Sequence, residues 1–184
     1  MDFISRAHAV LAVIDVQERL VAAMPDDGRQ TMLRNVLIAI DAAKILDVPI
    51  LVSEQYPKGL GPTMPEIRAR LGDAFAPVEK IVFSCGRSTE FRAALDATGR
   101  REVILCGVEA HVCVFQTALD LLNDGYRVYV PADAVMSRRS LDWQRAVALM
   151  EDAGAVVGTT EMFLFQLLER AGTDEFKAVS RLVK

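Results

Sequence analysis

A regular alternation between continuously apolar runs and longer segments of helical periodicity is the feature that most constrains the fold. Residues 9–14 read Ala-Val-Leu-Ala-Val-Ile, and a run without polar alternation is typical of a strand buried on both faces. Residues 31–46 instead place their apolar side chains near one face of a helix. The strands predicted in this way are residues 9–14, 48–52, 77–83, 102–106, 126–130 and 155–157.

Helical segments lie between the predicted strands, and their order decides the fold class. The predicted helices are residues 31–46, 112–123, 141–153 and 161–170, with two more beginning at Pro65 and after Ser88. Strands that alternate with helices pair in parallel, because a parallel connection needs a long crossover. We therefore predict an α/β, three-layer Rossmann-like fold in which a six-stranded parallel sheet is flanked by helices on both faces. No linker or repeat interrupts the pattern, so we expect a single domain over residues 1–184.

Composition excludes several classes of partner. The 184 residues carry a net charge of −4, whereas binding to nucleic acid requires a basic surface. No apolar run approaches the roughly 18–20 residues of a membrane span, and the first residues do not resemble a secretory signal. Three cysteines, an odd number, fit reduced thiols in the cytoplasm better than a disulfide framework. We expect a small-molecule partner, with no nucleic acid and no membrane.

Polar residues at the ends of the predicted strands place a candidate site at one edge of the sheet. Asp15 follows the first strand, Glu54 and Tyr56 follow the second, and the turn 107–113 follows the fourth. Ligands of parallel α/β sheets bind at the carboxyl ends of the strands, where these residues meet. Lys80 lies within the third predicted strand, and a lysine among apolar neighbours needs a carboxylate partner. Asp15 is the candidate partner, with capping of the next element as its alternative role.

Cys113 is the candidate nucleophile at this edge. A glycine-containing turn precedes it and an amphipathic segment follows it, so the thiol lies at or near a helix N-terminus. The positive end of a helix favours thiolate over thiol, which predicts a pKa of Cys113 below that of a free cysteine. The alternative is that Cys113 is a small buried apolar residue, as we expect for Cys85 and Cys106. His111, two residues before Cys113, is interpreted as lining the pocket and not as the base.

These residues resemble a known family. Asp15, Lys80 and the stretch 107–114, Gly-Val-Glu-Ala-His-Val-Cys-Val, are similar to the isochorismatase-like cysteine hydrolases. That superfamily includes nicotinamidases, N-carbamoylsarcosine amidase and ureidoacrylate amidases. The resemblance runs from about residue 7 to residue 170, and residues 53–63 resemble the branch called isochorismatase domain-containing proteins.

The resemblance implies a role for each of these residues. Cys113 is expected to be the nucleophile, Asp15 the general base that takes its proton, and Lys80 the cation that keeps both ionised. The backbone N–H groups of Glu109 and Cys113 are expected to form the oxyanion hole, after a cis peptide bond between Val108 and Glu109. The residues expected to contact the substrate are Gln17, Tyr56, Phe83, Ala110 and His111.

The resemblance also bears on cofactors and on the reaction. Nicotinamidases carry an Asp-x-His pair and a further histidine after the second strand, and these residues bind a metal. This chain has Glu-Gln-Tyr at residues 54–56, and its histidines are His8 and His111 alone, so we expect no metal and no other cofactor. True isochorismatases cleave a vinyl ether without a cysteine nucleophile, so Cys113 favours hydrolysis of an acyl C–N bond.

Three hypotheses for the function follow. The leading one is a metal-independent cysteine hydrolase that cleaves a small amide, ureido or related acyl compound through a thioester intermediate. The second is a non-catalytic oligomeric scaffold that keeps the fold, and the third is a thiol redox sensor, for which no resolving cysteine is evident. Apolar residues at 136–143 and 162–165 exceed what a small domain easily buries, so we expect a homo-oligomer.

Overall fold

A seven-stranded sheet runs through the protein, whose computed structural model describes residues 3–184. The strands are β1 Ala9–Ile14, β2 Ile50–Gln55, β3 Val78–Lys80, β4 Glu102–Val108, β5 Arg127–Pro131, β6 Val135–Met136 and β7 Val156–Gly158. Their order is β3-β2-β1-β4-β5-β7, with β6 paired to β4, and the pairs formed by these strands are parallel. The predicted α/β fold is confirmed, with one strand more than expected.

Helices cover both faces of this sheet. They are α1 Glu18–Ala22, α2 Asp26–Ile45, α3 Pro57–Leu60, α4 Pro65–Leu71, α5 Thr89–Ala97, α6 Phe115–Asn123, α7 Ser140–Asp152, α8 Thr160–Leu168 and α9 Asp174–Leu182. Helices α2, α4, α8 and α9 contribute to one apolar core, and α5, α6 and α7 contribute to a second. Within β1, Leu11 and Val13 belong to the first core, whereas Val10, Ala12 and Ile14 belong to the second. Burial on both faces explains why this strand is continuously apolar. No helix within residues 3–184 combines the length and the apolar character that crossing a bilayer requires.

The third strand is shorter than its apolar sequence predicts. Residues 77–83 are predicted as a strand, but β3 ends at Lys80. Ile81, Val82 and Phe83 then leave the sheet with 72%, 41% and 53% of their surface exposed. Because β3 is at the edge of the sheet, its pairing depends on one neighbour alone, and an apolar run there can end early.

Two helical segments also differ from the prediction, and three short elements are new. Helix α2 begins at Asp26 and not at residue 31, with a break at Gly28 where φ is +88°. The predicted helix 112–123 is divided into a π-helical turn, Ala110–Val114, and the regular helix α6. The sequence does not predict α1, α3 or β6, because elements of five, four and two residues are too short for a period to show.

Candidate active site

Asp15 follows β1 directly and lies at the centre of a buried polar cluster. Its Oδ1 accepts a hydrogen bond from the Ser53 hydroxyl at 2.7 Å, and its Oδ2 lies 2.7 Å from the Lys80 ammonium. Neither the Asp15 nor the Lys80 side chain is exposed to solvent. Asp15 adopts a left-handed backbone conformation with φ of +51°, which costs of order 1 kcal/mol for a residue other than glycine. The contacts of the carboxylate help to hold this conformation.

Lys80 is the last residue of β3, and its ammonium reaches several acceptors. Besides Asp15, Nζ donates to Gln55 Oε1 at 2.7 Å and to the Phe83 carbonyl at 3.0 Å. Burial by itself lowers the pKa of Lys80. The charge and the hydrogen bond of Asp15, together with Cys85 and Cys113, outweigh burial, and the pKa stands above its ordinary value. Lys80 is therefore a permanent cation of this cluster at neutral pH.

Cys113 lies within the π-helical turn and is 5% exposed. Burial raises the pKa of the Cys113 thiol, and the negative charge of Asp15 raises it further, while Lys80 opposes them. The predicted low pKa of Cys113 is therefore wrong, because the helix-end argument leaves out desolvation and the neighbouring carboxylate. The resting thiol keeps its proton, with Asp15 nearby as an acceptor.

Cys85 is a second thiol beside the Asp15–Lys80 pair. It is fully buried, and its backbone N–H donates to Thr117 Oγ1 at 2.9 Å. Burial, followed by the charge of Asp15, raises the pKa of Cys85 to about 12. The structure thus places Cys85 in the polar cluster, although the sequence indicates only a structural role.

Sequence reasoning missed Ser53 and Gln55, which complete the cluster. Both lie on β2, two residues apart, and therefore on the same face of the strand. Ser53 donates to Asp15, and Gln55 accepts from Lys80. A signal was present in the sequence, because a serine and a glutamine at the end of a buried strand need buried partners.

Gln17 and Glu54 fix the loop that follows β2. The Gln17 amide donates to the Gln55 carbonyl at 3.0 Å and to the Gly61 carbonyl at 2.6 Å, and its oxygen accepts from the Gln55 N–H at 2.7 Å. Glu54 Oε1 accepts from the N–H and the hydroxyl of Thr63, at 2.6 and 2.7 Å. The Gln17 amide thus binds main-chain groups of Gln55 and Gly61. Its expected contact with substrate remains a prediction.

Possible metal ligands are not assembled here. Glu54 lies in the segment that corresponds to the metal-binding segment of nicotinamidases. Its Oε1 accepts hydrogen bonds from the backbone N–H and the hydroxyl of Thr63. Within residues 3–184, no three side chains of histidine, cysteine, aspartate or glutamate form a group suited to a metal ion.

Tyr56 and Phe83, two of the residues expected to contact substrate, lie at the exposed edge of the sheet. Their exposed fractions are 51% and 53%. Tyr56 lines a cavity of about 520 Å³ together with Lys80, Ile81 and Val82, and its backbone N–H donates to the Lys80 carbonyl at 2.9 Å. Asp15 and Cys113 do not line this cavity, and contact of Tyr56 and Phe83 with substrate stays a prediction.

The turn between β4 and α6 carries the expected oxyanion-hole residues, and Gly107 just before it pairs with Ile14 at the end of β1. Gly107 has φ of +119°, and a Cβ there would lie 2.1 Å from the Ile14 carbonyl oxygen, so only glycine allows β4 to approach the end of β1 this closely. The Val108–Glu109 peptide bond is cis, as the resemblance implies. Glu109 is 8% exposed, and its carboxylate accepts from Arg138 Nε at 2.8 Å.

His111 and Ala110 differ in their surroundings. His111 Nδ1 lies 3.0 Å from Ser137 Oγ, and its Nε2 lies 4.0 Å from Asp142. It lines a small cavity of about 300 Å³ with Arg138, Arg139 and Asp142. Asp15, Lys80 and Cys113 do not line this cavity, so contact between His111 and substrate stays a prediction. Ala110 is fully buried.

Comparison with known proteins gives the family of this chain. Residues 9–162 match the isochorismatase domain. This chain belongs to the isochorismatase family. One family member, the secreted isochorismatase effector Isc1 of Phytophthora sojae, is 39% identical over 182 residues, which cover 96% of this chain and 84% of the relative. Isochorismatase domain-containing protein 2 of Pongo abelii is 41% identical over 182 residues, covering 96% of this chain and 83% of the relative.

Solved structures share the fold of this chain. The MAR1 ribonuclease from Caenorhabditis elegans superposes with a TM-score of 0.91 at 36% identity, covering 99% of this chain and 92% of that one. The YcaC gene product from Escherichia coli is described as an octameric hydrolase of unknown specificity, and it superposes with a TM-score of 0.89 at 23% identity. That match covers 99% of this chain and 91% of the YcaC chain, and at this identity it concerns the fold alone.

Proposed function

We propose that this isochorismatase-family protein is a metal-independent cysteine hydrolase that cleaves a small amide, ureido or related acyl compound. The observation that carries the proposal is the buried Lys80–Asp15 ion pair, 2.7 Å across, whose charges both act on the Cys113 thiol. A carboxylate, a fixed cation and a thiol are the parts that an activated nucleophile needs. They meet at the carboxyl ends of parallel strands, where ligands of such sheets bind.

The raised pKa of Cys113 indicates that the proton leaves during attack and not before it. Asp15 accepts the proton from Sγ while the sulfur bonds to the acyl carbon, and the carbonyl oxygen becomes an oxyanion. The backbone N–H groups of Glu109 and Cys113 stabilise that oxygen. Asp15 then gives the proton to the leaving nitrogen, the C–N bond breaks, and a thioester remains.

Water completes the cycle. Asp15 takes a proton from a water molecule while the water oxygen attacks the thioester carbon. The C–S bond then breaks, the acid product leaves, and Sγ regains a proton from Asp15. Throughout, Lys80 stabilises the carboxylate of Asp15 and the negative charge that develops on sulfur. The proposal needs no metal, because the only acids and bases that it uses are these side chains.

A direct test is acylation of Cys113 by p-nitrophenyl acetate, followed by nitrophenolate release and by the mass of the intact protein. We expect one acetyl group on Cys113, slow release on standing, and no acylation of Cys113→Ala at neutral pH. Cys106→Ala is the matched control and should be acylated like the wild type. Equal acylation of Cys113→Ala would contradict the proposal and favour the non-catalytic scaffold. A panel of small amides and ureides, read out by release of ammonia or amine, then narrows the substrate.

Two other functions are less consistent with this site. A redox sensor needs an accessible thiolate, whereas Cys113 is 5% exposed with a raised pKa. The Caenorhabditis elegans protein is named a ribonuclease, but the net charge of −4 does not favour RNA as a partner here. Incubation with a labelled single-stranded RNA tests this, and cleavage that disappears in Cys113→Ala would replace the small-molecule proposal.

We further propose a cytoplasmic homo-oligomer built from one domain. Met162 and Phe165 on α8 are 54% and 40% exposed, and Leu141 is 63% exposed, which leaves apolar surface for a second copy to cover. The octamer described for YcaC offers a precedent within the fold. Light scattering that gives a monomer mass would contradict the oligomer. The secreted relative from Phytophthora sojae makes cell fractionation the test of location.

A further inference from the structure

The segment 134–138 holds the turn that carries the expected oxyanion hole. The Gly107 N–H donates to the Ala134 carbonyl at 2.9 Å, and β6 continues the pairing with Gly107 and Val108. Ser137 Oγ lies 3.0 Å from His111 Nδ1. Backbone pairing and side-chain contacts together therefore connect this segment to the residues just before Cys113.

The strongest of these side-chain contacts joins Arg138 to Glu109. Glu109 Oε1 accepts from Arg138 Nε at 2.8 Å and from the Arg138 backbone N–H at 3.4 Å. The Glu109 side chain is 10% exposed, whereas that of Arg138 is 58% exposed. A carboxylate this deeply buried needs its cation, so loss of the guanidinium would drive Glu109 to move towards water or another partner.

We infer that Arg138 is a positioning residue, which fixes the main chain of Glu109 so that its N–H points at the oxygen of an acyl group on Cys113. The inference rests on the proposed function. Arg138 acts on the reaction through Glu109, and small displacements of an oxyanion donor are costly, because a misplacement of about 1 Å can slow a reaction about 10²-fold.

Two reactions of the same thiol separate this role from a general structural one. Acylation by p-nitrophenyl acetate passes through a tetrahedral oxyanion and depends on the hole. Alkylation by iodoacetamide proceeds from the small thiolate fraction, whose proton has gone to solvent. The S–C bond forms as the C–I bond breaks, iodide leaves, and no charge develops on oxygen. Arg138 should therefore matter for acylation and not for alkylation, whereas general damage to the site would slow both.

The experiment compares Arg138→Ala and Arg138→Lys with Arg139→Ala, which removes the neighbouring exposed arginine. For each full-length protein, nitrophenolate release gives the acylation rate, and peptide mass spectrometry gives the alkylation rate at Cys113. We expect Arg138→Ala to lower acylation by about 10- to 100-fold with alkylation unchanged, and Arg138→Lys to recover part of the loss. Arg139→Ala should match the wild type in both reactions.

Each other outcome overturns a specific statement. Equal acylation rates in the wild type and Arg138→Ala, or parallel losses in both reactions, would overturn the role of Arg138. Should Arg138→Ala not fold, Arg138→Lys decides, since it keeps a cation but not the geometry of the guanidinium. A wild type that is never acylated at Cys113 would overturn the proposed function instead.

Discussion

The Lys80 ammonium lies 2.7 Å from the Asp15 carboxylate, with neither side chain exposed to solvent. The two residues are 65 positions apart in the sequence. Asp15 follows β1 and Lys80 ends β3, with β2 between these strands. A buried pair of this kind is costly to break, because the remaining charge has no counterpart and little water. The pair is therefore both the electrostatic centre of the candidate site and a constraint on folding.

Lys80→Ala should destabilise the protein by about 3–5 kcal/mol, because it leaves the Asp15 carboxylate buried without its cation. Urea unfolding followed by circular dichroism measures the change. Lys177→Ala is the matched control, since Lys177 pairs with Asp174 at a surface where the side chains are 58% and 97% exposed. That substitution should change the free energy of unfolding by no more than about 0.5 kcal/mol. Similar losses in the two variants would argue that the buried pair is not structurally important.

Asp15→Asn should change the two reactions of Cys113 in opposite directions. Burial and then the negative charge of Asp15 raise the pKa of Cys113, while Lys80 lowers it. Removing the charge of Asp15 therefore lowers that pKa and should speed alkylation by iodoacetamide at pH 8. Acylation by p-nitrophenyl acetate loses its base and should fall by about 10²–10⁴-fold. Asparagine tolerates the left-handed backbone of this position, so the fold should persist. If the acylation and alkylation rates changed in the same direction, the role of Asp15 as a base would be contradicted. The control is Asp124→Asn, at an exposed aspartate, which should leave both rates unchanged.

Stability should fall as the pH rises above about 9, because buried thiols keep their protons only in the folded state. Burial raises the pKa of Cys106 from 9.0 to about 12, so between these values the unfolded chain binds fewer protons than the folded one. The free energy of unfolding then decreases by up to about 1.4 kcal/mol per pH unit for each such thiol. Chemical unfolding at pH 8 and pH 10.5 measures the slope, which should be smaller in Cys106→Ala. If Cys106→Ala had the same slope as the wild type, Cys106 would not contribute to the loss of stability at high pH.

Gly107→Ala should be among the most damaging single substitutions outside the polar cluster. The added Cβ would lie 2.1 Å from the Ile14 carbonyl oxygen, so β1 and β4 would have to separate beside Asp15. We expect a loss above about 4 kcal/mol or failure to fold. Gly99→Ala is the control, because Gly99 also has a positive φ, of +66°, but nothing lies within 4 Å of its added Cβ. A loss comparable to that of Gly99→Ala, measured by thermal unfolding, would exclude a close approach of the two strands.

The sequence determined the fold class and where the candidate site is expected. A continuously apolar β1 and helical segments between strands are local patterns, and they are sufficient to predict a parallel sheet with its polar residues at the carboxyl ends. Asp15, Lys80 and Cys113 could be selected from such positions, and the family resemblance gave them an order and roles. The shortened β3 shows where local pattern fails, since an apolar run at a sheet edge need not remain in the sheet.

Only the tertiary structure decided the protonation of Cys113 and the partners of the polar side chains. The pKa of this thiol depends on burial and on Asp15, which is distant in sequence, so a helix-end argument reached the wrong direction. The same holds for the Glu109–Arg138 pair, 29 residues apart, whose members no periodicity connects. Electrostatic energies depend on distance in space and on exclusion of water, and both are set when separate strands and turns pack together.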